Sequence, residues 1–265
     1  MSFGERDSVA VQFGVAPEQV ERDHLISHLL AAISRGFGDR VHFIGGTALA
    51  RTHLVNGRLS EDIDLVALGN RTVLAAELDA ALPRSVARSY GRLEWAPPLS
   101  GVPDTGAANL RSASGVSVKI QLLSALGRTV WPTELRALEQ RYSDVPPAEL
   151  FVPTLPAFAA GKTTTWHDRR ASRDLWDLWA LSDIGAIDGA AGALYRKYGP
   201  TNRLPATQLF DRAPDENDWN AQLAGQTQLV ISAEIARAAV RDAWDRVAQE
   251  MGVAVHRAEN VEADR

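Results

Sequence analysis

The stretch from Val41 to Leu65 constrains the fold more than any other part of the chain. Its apolar start ends in the pair Gly45–Gly46, and a segment of helix-compatible composition follows at Thr47–Leu54. The next ordered pattern is Asp-Ile-Asp-Leu, whose alternation predicts a strand with Asp62 and Asp64 on one face. The stretch therefore predicts a strand, a glycine turn, a short helix and a second strand.

The same stretch indicates phosphate chemistry. Asp62 and Asp64 repel each other on one strand face unless a divalent cation lies between them, and carboxylate oxygens suit Mg²⁺ or Mn²⁺. Gly45 and Gly46 let backbone N–H groups approach a phosphate at a helix N-terminus. Together these features predict nucleotidyl or phosphoryl transfer. The plain alternatives are a strand-end turn with solvated acids and an ordinary glycine turn.

The composition narrows the class of protein. A chain of 265 residues can form one large domain or two small ones. It has no Cys, which excludes disulfides, thiolate metal sites and Cys nucleophiles. A net charge of −5 argues against a protein coated with nucleic acid, although a local basic cleft stays open. No apolar run is long enough to span a bilayer and the N-terminus is polar, so a cytoplasmic protein is expected.

The order of elements predicts an α+β fold with a helical C-terminal part. Val116–Leu122 alternates as a half-buried strand, with Lys119 and Gln121 on its polar face. The proline-rich stretch Pro146–Pro156 is interpreted as a linker, and the chain after it is helical in pattern, including Ser232–Met251 with Gly252 at its end. We therefore expect domains at 1–145 and 146–265.

A second group of charged residues lies in the helical half. Asp174 and Asp177 are three residues apart and share a helix face, and Lys162 precedes them on a neighbouring helix. A lysine beside a carboxylate pair suits a triphosphate, because its ammonium is a compact charge that can follow phosphate oxygens. The alternative is a solvated face with ion pairs, in which Asp174 pairs with Arg173 or Arg170.

The two groups of residues together resemble the AbiEii/AbiGii toxins, which are nucleotidyltransferases of the DNA polymerase β-like superfamily and the toxin half of type IV toxin–antitoxin pairs. The resemblance rests on Gly-Gly-Thr-Ala-Leu from Gly45, Arg-Leu-Ser-Glu-Asp-Ile-Asp-Leu from Arg58, Lys162, Arg169, and Arg-Asp-Leu-Trp-Asp-Leu from Arg173. It implies a nucleotidyltransferase core with a mixed sheet at 1–145, and a helical domain at 146–265 that carries the Lys162 and Asp177 part of the site.

The resemblance also implies roles for individual residues. Asp62 and Asp64 would bind Mg²⁺ or Mn²⁺, and the nucleoside triphosphate would be the substrate. The nucleotide-binding residues would be Gly45, Gly46, Ser60 and Lys162, and the catalytic residues Asp62, Lys162 and Asp177. One departure is Gln121, which stands where the superfamily often has a third acidic residue. Its presence puts a two-metal mechanism in doubt.

The function implied by the resemblance is transfer of nucleotides to RNA, with tRNA 3′ ends as the natural acceptor and a block of translation as the result. A cognate antitoxin encoded nearby and a monomeric toxin are expected. Two other classes stay open: transfer to a small molecule such as an aminoglycoside, and a non-catalytic nucleotide- or partner-binding module, which Gln121 favours. An RNA backbone could follow a series of arginines, Arg84, Arg88, Arg92, Arg111, Arg128, Arg136 and Arg141, unless these are ordinary surface residues.

Overall fold

The computed structural model describes the backbone of residues 1–263 and the side chains of residues 1–252. Within it the chain forms two compact units. The first comprises Met1–Pro153 with Ala224–Gln228, and the second comprises Thr154–Leu223 with Leu229–Arg265. The domain division predicted at residue 145 stays a prediction. In the described part of the chain, no helix has both the length and the apolar character needed to cross a membrane.

The first unit is built on a mixed sheet with helices α1 to α5. The strands are Val41–Ile44 (β1), Asp62–Ala67 (β2), Leu93–Trp95 (β3), Ala107–Ser112 (β4), Ser117–Ser124 (β5), Thr133–Ala137 (β6) and Glu149–Pro153 (β7). The helices are Phe3–Phe13 (α1), Pro17–Phe37 (α2), Gly45–Thr52 (α3), Arg71–Ser85 (α4) and Ala87–Tyr90 (α5). The strand order is β3-β4-β5-β2-β1-β7-β6.

The centre of the sheet combines both kinds of strand pairing. β2 runs antiparallel to β1 and parallel to β5, and β1 runs parallel to β7. Ile63, Leu65 and Ala67 of β2 are buried while the residues between them are partly exposed, which is the alternation expected for a strand with one covered face. Val118, Ile120 and Leu122 of β5 show the same pattern, as predicted. The predicted α+β class with a mixed sheet is confirmed.

The proline-rich stretch at 146–156 is not a linker throughout, because it contains β7. Leu150 and Val152 are fully buried, and β7 pairs with both β1 and β6. Proline is excluded from the middle of a ladder but not from its ends. Here Pro146 and Pro147 precede the strand, and Pro153 is its last residue. The prolines therefore bound a strand instead of replacing one.

The second unit is helical within the described residues. Its helices are Leu155–Arg169 (α6), Ser172–Asp183 (α7), Gly189–Tyr198 (α8), Glu216–Leu223 (α9) and Ala233–Ala263 (α10). The prediction that the last helix ends at Gly252 was wrong, because α10 continues to Ala263. A glycine inside a helix costs about 1 kcal/mol relative to alanine, which weakens a helix without ending it.

Candidate functional site

The glycine pair lies where β1 passes into α3, and close neighbours require both glycines. Gly45 has φ +81°, and a Cβ added there would lie 2.2 Å from Asp64 Oδ2. A Cβ on Gly46 would lie 2.7 Å from Arg58 Nη2 and 3.2 Å from Ser60 Oγ. The β1–β2 register, which pairs Ile44 with Asp64, brings the carboxylate against the turn. The two glycines therefore lie next to strand β2 within the first unit.

The start of α3 leaves backbone donors without a side-chain cap. Its N-cap residue is Ile44, whose side chain makes no capping hydrogen bond. The first N–H groups of any helix lack partners within the helix, and the helix dipole favours negative charge near them. Ser, Thr, Asp and Asn are the residues preferred at this position. The apolar N-cap and the glycine pair make this helix N-terminus suited to an anion.

Asp62 and Asp64 lie on one face of β2, as the alternation predicted. Both are partly exposed, and the parallel strand β5 places Lys119 beside Asp62 and Gln121 beside Asp64. Lys119 Nζ is 3.6 Å from Asp62 Oδ2, and Gln121 donates from its side-chain amide to the Thr105 carbonyl at 2.7 Å. The strand β5 therefore presents an ammonium and an amide to the carboxylate pair, with no carboxylate at these two positions.

Lys119 was missed as a site residue by the sequence analysis. Its signal was present, because it shares the polar face of a strand with Gln121, two residues away. Lys119 lies beside Asp62 only because β5 pairs with β2 in this register. Neither the pairing nor the register can be obtained from the alternation within one strand.

The chemistry of the Asp62 and Asp64 side chains is compatible with a divalent cation. Asp62 and Asp64 offer hard oxygen ligands on a partly exposed face, and the space next to Asp64 is one that a single Cβ on Gly45 would fill. The Asp62 side chain is 30% exposed, so a hydrated ion such as Mg²⁺ can approach it. The residues of β5 opposite them add no acidic ligand, which agrees with the departure noted at Gln121.

Ser60 and Arg58 are both buried beside the glycine turn. Arg58 donates to the Gln226 side-chain carbonyl at 2.6 Å, and the Gln226 backbone carbonyl accepts from Leu59 N at 2.8 Å. The segment Ala224–Gln228, which belongs to the first unit, therefore holds the residues that directly precede β2. Ser60 is thereby held with its hydroxyl close to Gly46.

Lys162, Asp177 and Asp174 form a buried cluster in the second unit. Lys162 Nζ on α6 lies 2.5 Å from Asp177 Oδ2 and 3.3 Å from Asp174 Oδ1, both on α7. The side chains of Lys162, Asp177 and Asp174 are 9%, 3% and 0% exposed, respectively. The alternative of a solvated face is therefore wrong for these residues. Two carboxylates therefore face one buried amine, and this pairing offsets part of the cost of burying charged groups.

Asp174 also binds Arg169, at the end of α6. Arg169 Nε and Nη2 donate to the two Asp174 oxygens at 2.6 and 3.0 Å, a bidentate pair. Burial by itself raises the pKa of the Asp174 carboxyl, but Lys162 and Arg169 outweigh it and hold that pKa below its ordinary value. The alternative of an ion pair between Asp174 and an arginine is therefore present, but the arginine is Arg169 and not Arg173 or Arg170. The cause is the contact between α6 and α7, which local spacing along α7 does not show.

Of the arginines considered for an RNA path, Arg141 is directed inward. Its side chain is 6% exposed, donates to the carbonyls of Ala50 and Val55 at 3.0 and 3.1 Å, and lies 3.7 Å from Asp23. The expectation that Arg141 follows an RNA backbone was therefore wrong. The other six are exposed residues: Arg84, Arg88, Arg92, Arg111, Arg128 and Arg136.

Comparison with known proteins agrees with this architecture. The family model described as "Nucleotidyl transferase AbiEii toxin, Type IV TA system" matches residues 28–256. Among solved structures, MenT4, a nucleotidyltransferase toxin from Mycobacterium tuberculosis H37Rv, superposes with a TM-score of 0.62 and 22% identity, covering 90% of this chain and 88% of that one. An antigenic nucleotidyltransferase-like protein from Paracoccidioides brasiliensis gives a TM-score of 0.36 and 15% identity, over 61% of this chain and 77% of that one. No curated protein sequence matches the chain.

The superposition on MenT4 shows a shared fold, and the family match extends over most of the chain. The family consists of nucleotidyltransferases, which use a nucleoside triphosphate and a divalent metal, and its type IV systems pair each toxin with an antitoxin. The chain belongs to the AbiEii family of nucleotidyltransferase toxins.

Proposed function

We propose that this nucleotidyltransferase transfers a nucleotide from a nucleoside triphosphate to RNA, with the 3′ end of tRNA as acceptor. The observation that carries the proposal is the position of the Asp64 carboxylate against Gly45, at the uncapped start of α3. A metal-binding carboxylate and a set of backbone N–H donors in one place serve the two needs of a bound triphosphate. These are neutralisation of its charge and orientation of its phosphates.

Asp62 and Asp64 would hold a single Mg²⁺ or Mn²⁺. When bound, the ion would neutralise charge that develops on the leaving pyrophosphate. The N–H groups of Gly45 and Gly46 would donate to phosphate oxygens, and the Ser60 hydroxyl, near Gly46, would add a further donor. Thr47 supports this arrangement, because its hydroxyl donates to the Asp62 backbone carbonyl and ties α3 to β2.

Lys162 and Asp177 would supply the remaining part of the chemistry. The 2.5 Å contact to Asp177 orients the Lys162 ammonium, which would bind the triphosphate. Asp177 would thereby position Lys162, or accept the proton of the attacking hydroxyl as a general base. Asp174, fully buried and held by the Arg169 pair, is better suited to holding α6 and α7 together.

The family's place in toxin–antitoxin systems supports the choice of this acceptor. A nucleotide added to the 3′ end of tRNA would block aminoacylation and arrest translation, which is one chemical route to toxicity. Such an acceptor would place the reaction in the cytoplasm. The exposed arginines of the first unit, including Arg84, Arg88 and Arg111, supply positive charge for an RNA backbone.

The test is incubation with Mg²⁺, total RNA and each of the four α-³²P-labelled nucleoside triphosphates. We expect label in the tRNA band with one or more nucleotides. Asp62→Ala and Lys162→Ala should each lower the rate by at least about a hundredfold, since each would remove charge stabilisation from the transition state. Asp39→Ala, an exposed aspartate of the same unit, should label like the unaltered protein.

Each other outcome rejects a defined part of the proposal. Label that persists in Asp62→Ala would remove Asp62 from the chemistry. Label on an aminoglycoside but on no RNA would favour the small-molecule transferase. Binding of a nucleoside triphosphate without transfer to any acceptor would favour the non-catalytic module.

A further inference from the structure

Two histidines and an aspartate converge in the first unit, away from the residues assigned above. His24 and His28 lie one turn apart on α2, and Asp144 lies in the connection between β6 and β7. His24 Nε2 is 3.2 Å from His28 Nε2 and 3.0 Å from Asp144 Oδ1, and His28 Nε2 is 3.9 Å from Asp144 Oδ2. One potential ligand atom from each residue lies within 4.8 Å of the other two.

These separations match the edges of a metal coordination sphere. Ligands bound tetrahedrally to Zn²⁺ at about 2.0–2.1 Å lie about 3.3 Å from one another. The side chains of His24 and His28 are 7% and 12% exposed, so the two imidazoles are already withdrawn from water, and Asp144, 41% exposed, faces solvent. Three protein ligands with one open side form the arrangement that leaves a position for water or another ligand.

The hydrogen bond at His24 Nδ1 leaves the lone pair of His24 Nε2 directed toward His28 and Asp144. The Tyr90 hydroxyl donates to the Glu21 carbonyl at 3.1 Å, so it accepts from His24 Nδ1, 2.5 Å away. In the neutral ring Nδ1 then carries the proton, and Nε2 presents its lone pair to the Asp144 carboxylate. Two acceptors 3.0 Å apart require a cation or a proton between them. A hydrogen bond that fixes the tautomer from the far side of the ring is the usual support of a metal-bound histidine.

We propose that His24, His28 and Asp144 bind a Zn²⁺-class divalent cation, at a site distinct from the carboxylates Asp62 and Asp64. Imidazole nitrogen selects zinc and its neighbours in the first transition row over Mg²⁺, whereas the paired carboxylates have the opposite preference. The Met1 ammonium also pairs with Asp144, so a metal cation would compete with this ammonium for the carboxylate.

A cation here would join parts of the chain that are 120 residues apart. Tyr142, two residues before Asp144, already docks on α2, because its hydroxyl donates to Asp23 Oδ2 at 2.8 Å. Asp23 in turn pairs with Arg51 of α3 at 2.8 Å, in a fully buried contact. Binding of the cation would therefore stabilise α2 in the position that supports α3.

The experiment uses the full chain carrying Asp62→Ala and Asp64→Ala, which removes the other candidate metal site. After treatment with a chelator, Zn²⁺ is titrated calorimetrically and Co²⁺ spectroscopically, both in excess Mg²⁺. We expect one equivalent of Zn²⁺, a rise in the melting temperature on binding, and the intense visible absorption of four- or five-coordinate Co²⁺. His28→Gln and Asp144→Asn should each weaken Zn²⁺ binding by at least about tenfold.

The matched control is His42→Gln, a half-buried histidine of β1 outside the cluster, which should bind like its parent. Circular dichroism of the metal-free variants checks folding, and Asp144→Asn is the milder of the two changes because the Asp144 side chain is 41% exposed. Absence of Zn²⁺ binding would overturn the proposal. The contact between His24 and Asp144 would then be a hydrogen bond through a proton on His24 Nε2. Equal affinity in His28→Gln and His42→Gln would overturn it as well.

Discussion

Lys119 Nζ lies 3.6 Å from Asp62 Oδ2, across the pair of parallel strands β2 and β5. The contact places an ammonium beside one of the two carboxylates proposed to bind metal. Lys119 lies on the same strand as Gln121, the position from which a second metal ion would need an acidic ligand. A fixed positive charge at this point offsets part of the repulsion between Asp62 and Asp64 and competes with a bound cation.

Lys119→Ala should therefore strengthen metal binding. The Lys119 side chain is 52% exposed, so solvent screens the ion pair, and we expect a gain of only about two- to fivefold in affinity, which is the range of an exposed pair. Mn²⁺ binding followed by electron paramagnetic resonance, without nucleotide, measures it. Lys197→Ala, an exposed lysine of α8, is the control and should have no effect. Weaker Mn²⁺ binding in Lys119→Ala would contradict the competition.

Gly45→Ala should impair nucleotide transfer more than Gly46→Ala. At Gly45 the new Cβ would overlap Asp64 Oδ2 and the residue would keep φ +81°, a backbone conformation that costs about 1–3 kcal/mol without glycine. At Gly46 the backbone φ is not positive, and the nearest atom to an added Cβ belongs to Arg58 and not to Asp64. Transfer rates and melting temperatures of the purified variants measure both effects.

The control for the glycine variants is Gly36→Ala in α2, where an added Cβ meets nothing within 4 Å. It should be neutral or stabilising by up to about 1 kcal/mol, because alanine is the better helix former. Equal transfer rates in Gly45→Ala and in the unaltered protein would show that the close approach of Asp64 to the turn is not required.

Asp174→Asn should destabilise the protein by about 1.5–3 kcal/mol, the range for a hydrogen bond to a charged group. The change removes the bidentate contact with Arg169 and one of the two carboxylates that face the buried Lys162. Asp177 still neutralises Lys162, which limits the destabilisation. Urea unfolding at neutral pH measures the difference. Asp183→Asn, an exposed aspartate at the end of α7, should lie within about 0.5 kcal/mol of the unaltered protein.

The stability difference between Asp174→Asn and the unaltered protein should depend on pH. Burial raises the pKa of Asp174, but Lys162 and Arg169 together lower it by more than burial raises it. The pKa of Asp174 in the folded protein therefore lies below the ordinary 3.8. A carboxyl with a lowered folded pKa contributes stability that is fully present above its unfolded pKa and is lost as pH falls through the folded one. The difference should be constant from neutral pH down to about pH 5 and shrink below about pH 3.8. A difference that grows on acidification would reverse the assigned sign.

Arg84→Glu combined with Arg88→Glu should weaken RNA binding without changing the affinity for nucleoside triphosphate. Each arginine that no longer binds a phosphate of single-stranded RNA lowers the slope of log affinity against log salt concentration by about 0.7. Fluorescence anisotropy with labelled tRNA across a salt series measures it. Arg35→Glu, an exposed arginine near the end of α2, is the control. An unchanged salt slope in the double variant would place the RNA-binding surface elsewhere.

The local pattern around Gly45 and Asp62 could be predicted because it depends on neighbours in the chain. Alternation placed Asp62 and Asp64 on one strand face, and the glycine pair marked a turn into α3; the structure has both features. The proline-rich stretch was misinterpreted because strand β7 is stabilised by pairing with β1 and β6, which are distant in sequence. The prediction that α10 ends at Gly252 was wrong because the helix propensity of one residue is weak evidence for a helix end.

The sequence by itself determined the family, the α+β class and the side chains available for chemistry, because these follow from residue order and local periodicity. Only the tertiary structure decided which charges meet. The register of β5 against β2 brought Lys119 to Asp62, the contact of α6 with α7 gave Asp174 to Arg169, and the turn of the chain after β6 set Asp144 beside His24. Such pairs arise from packing between elements far apart in the chain, and no local pattern of residues specifies that packing.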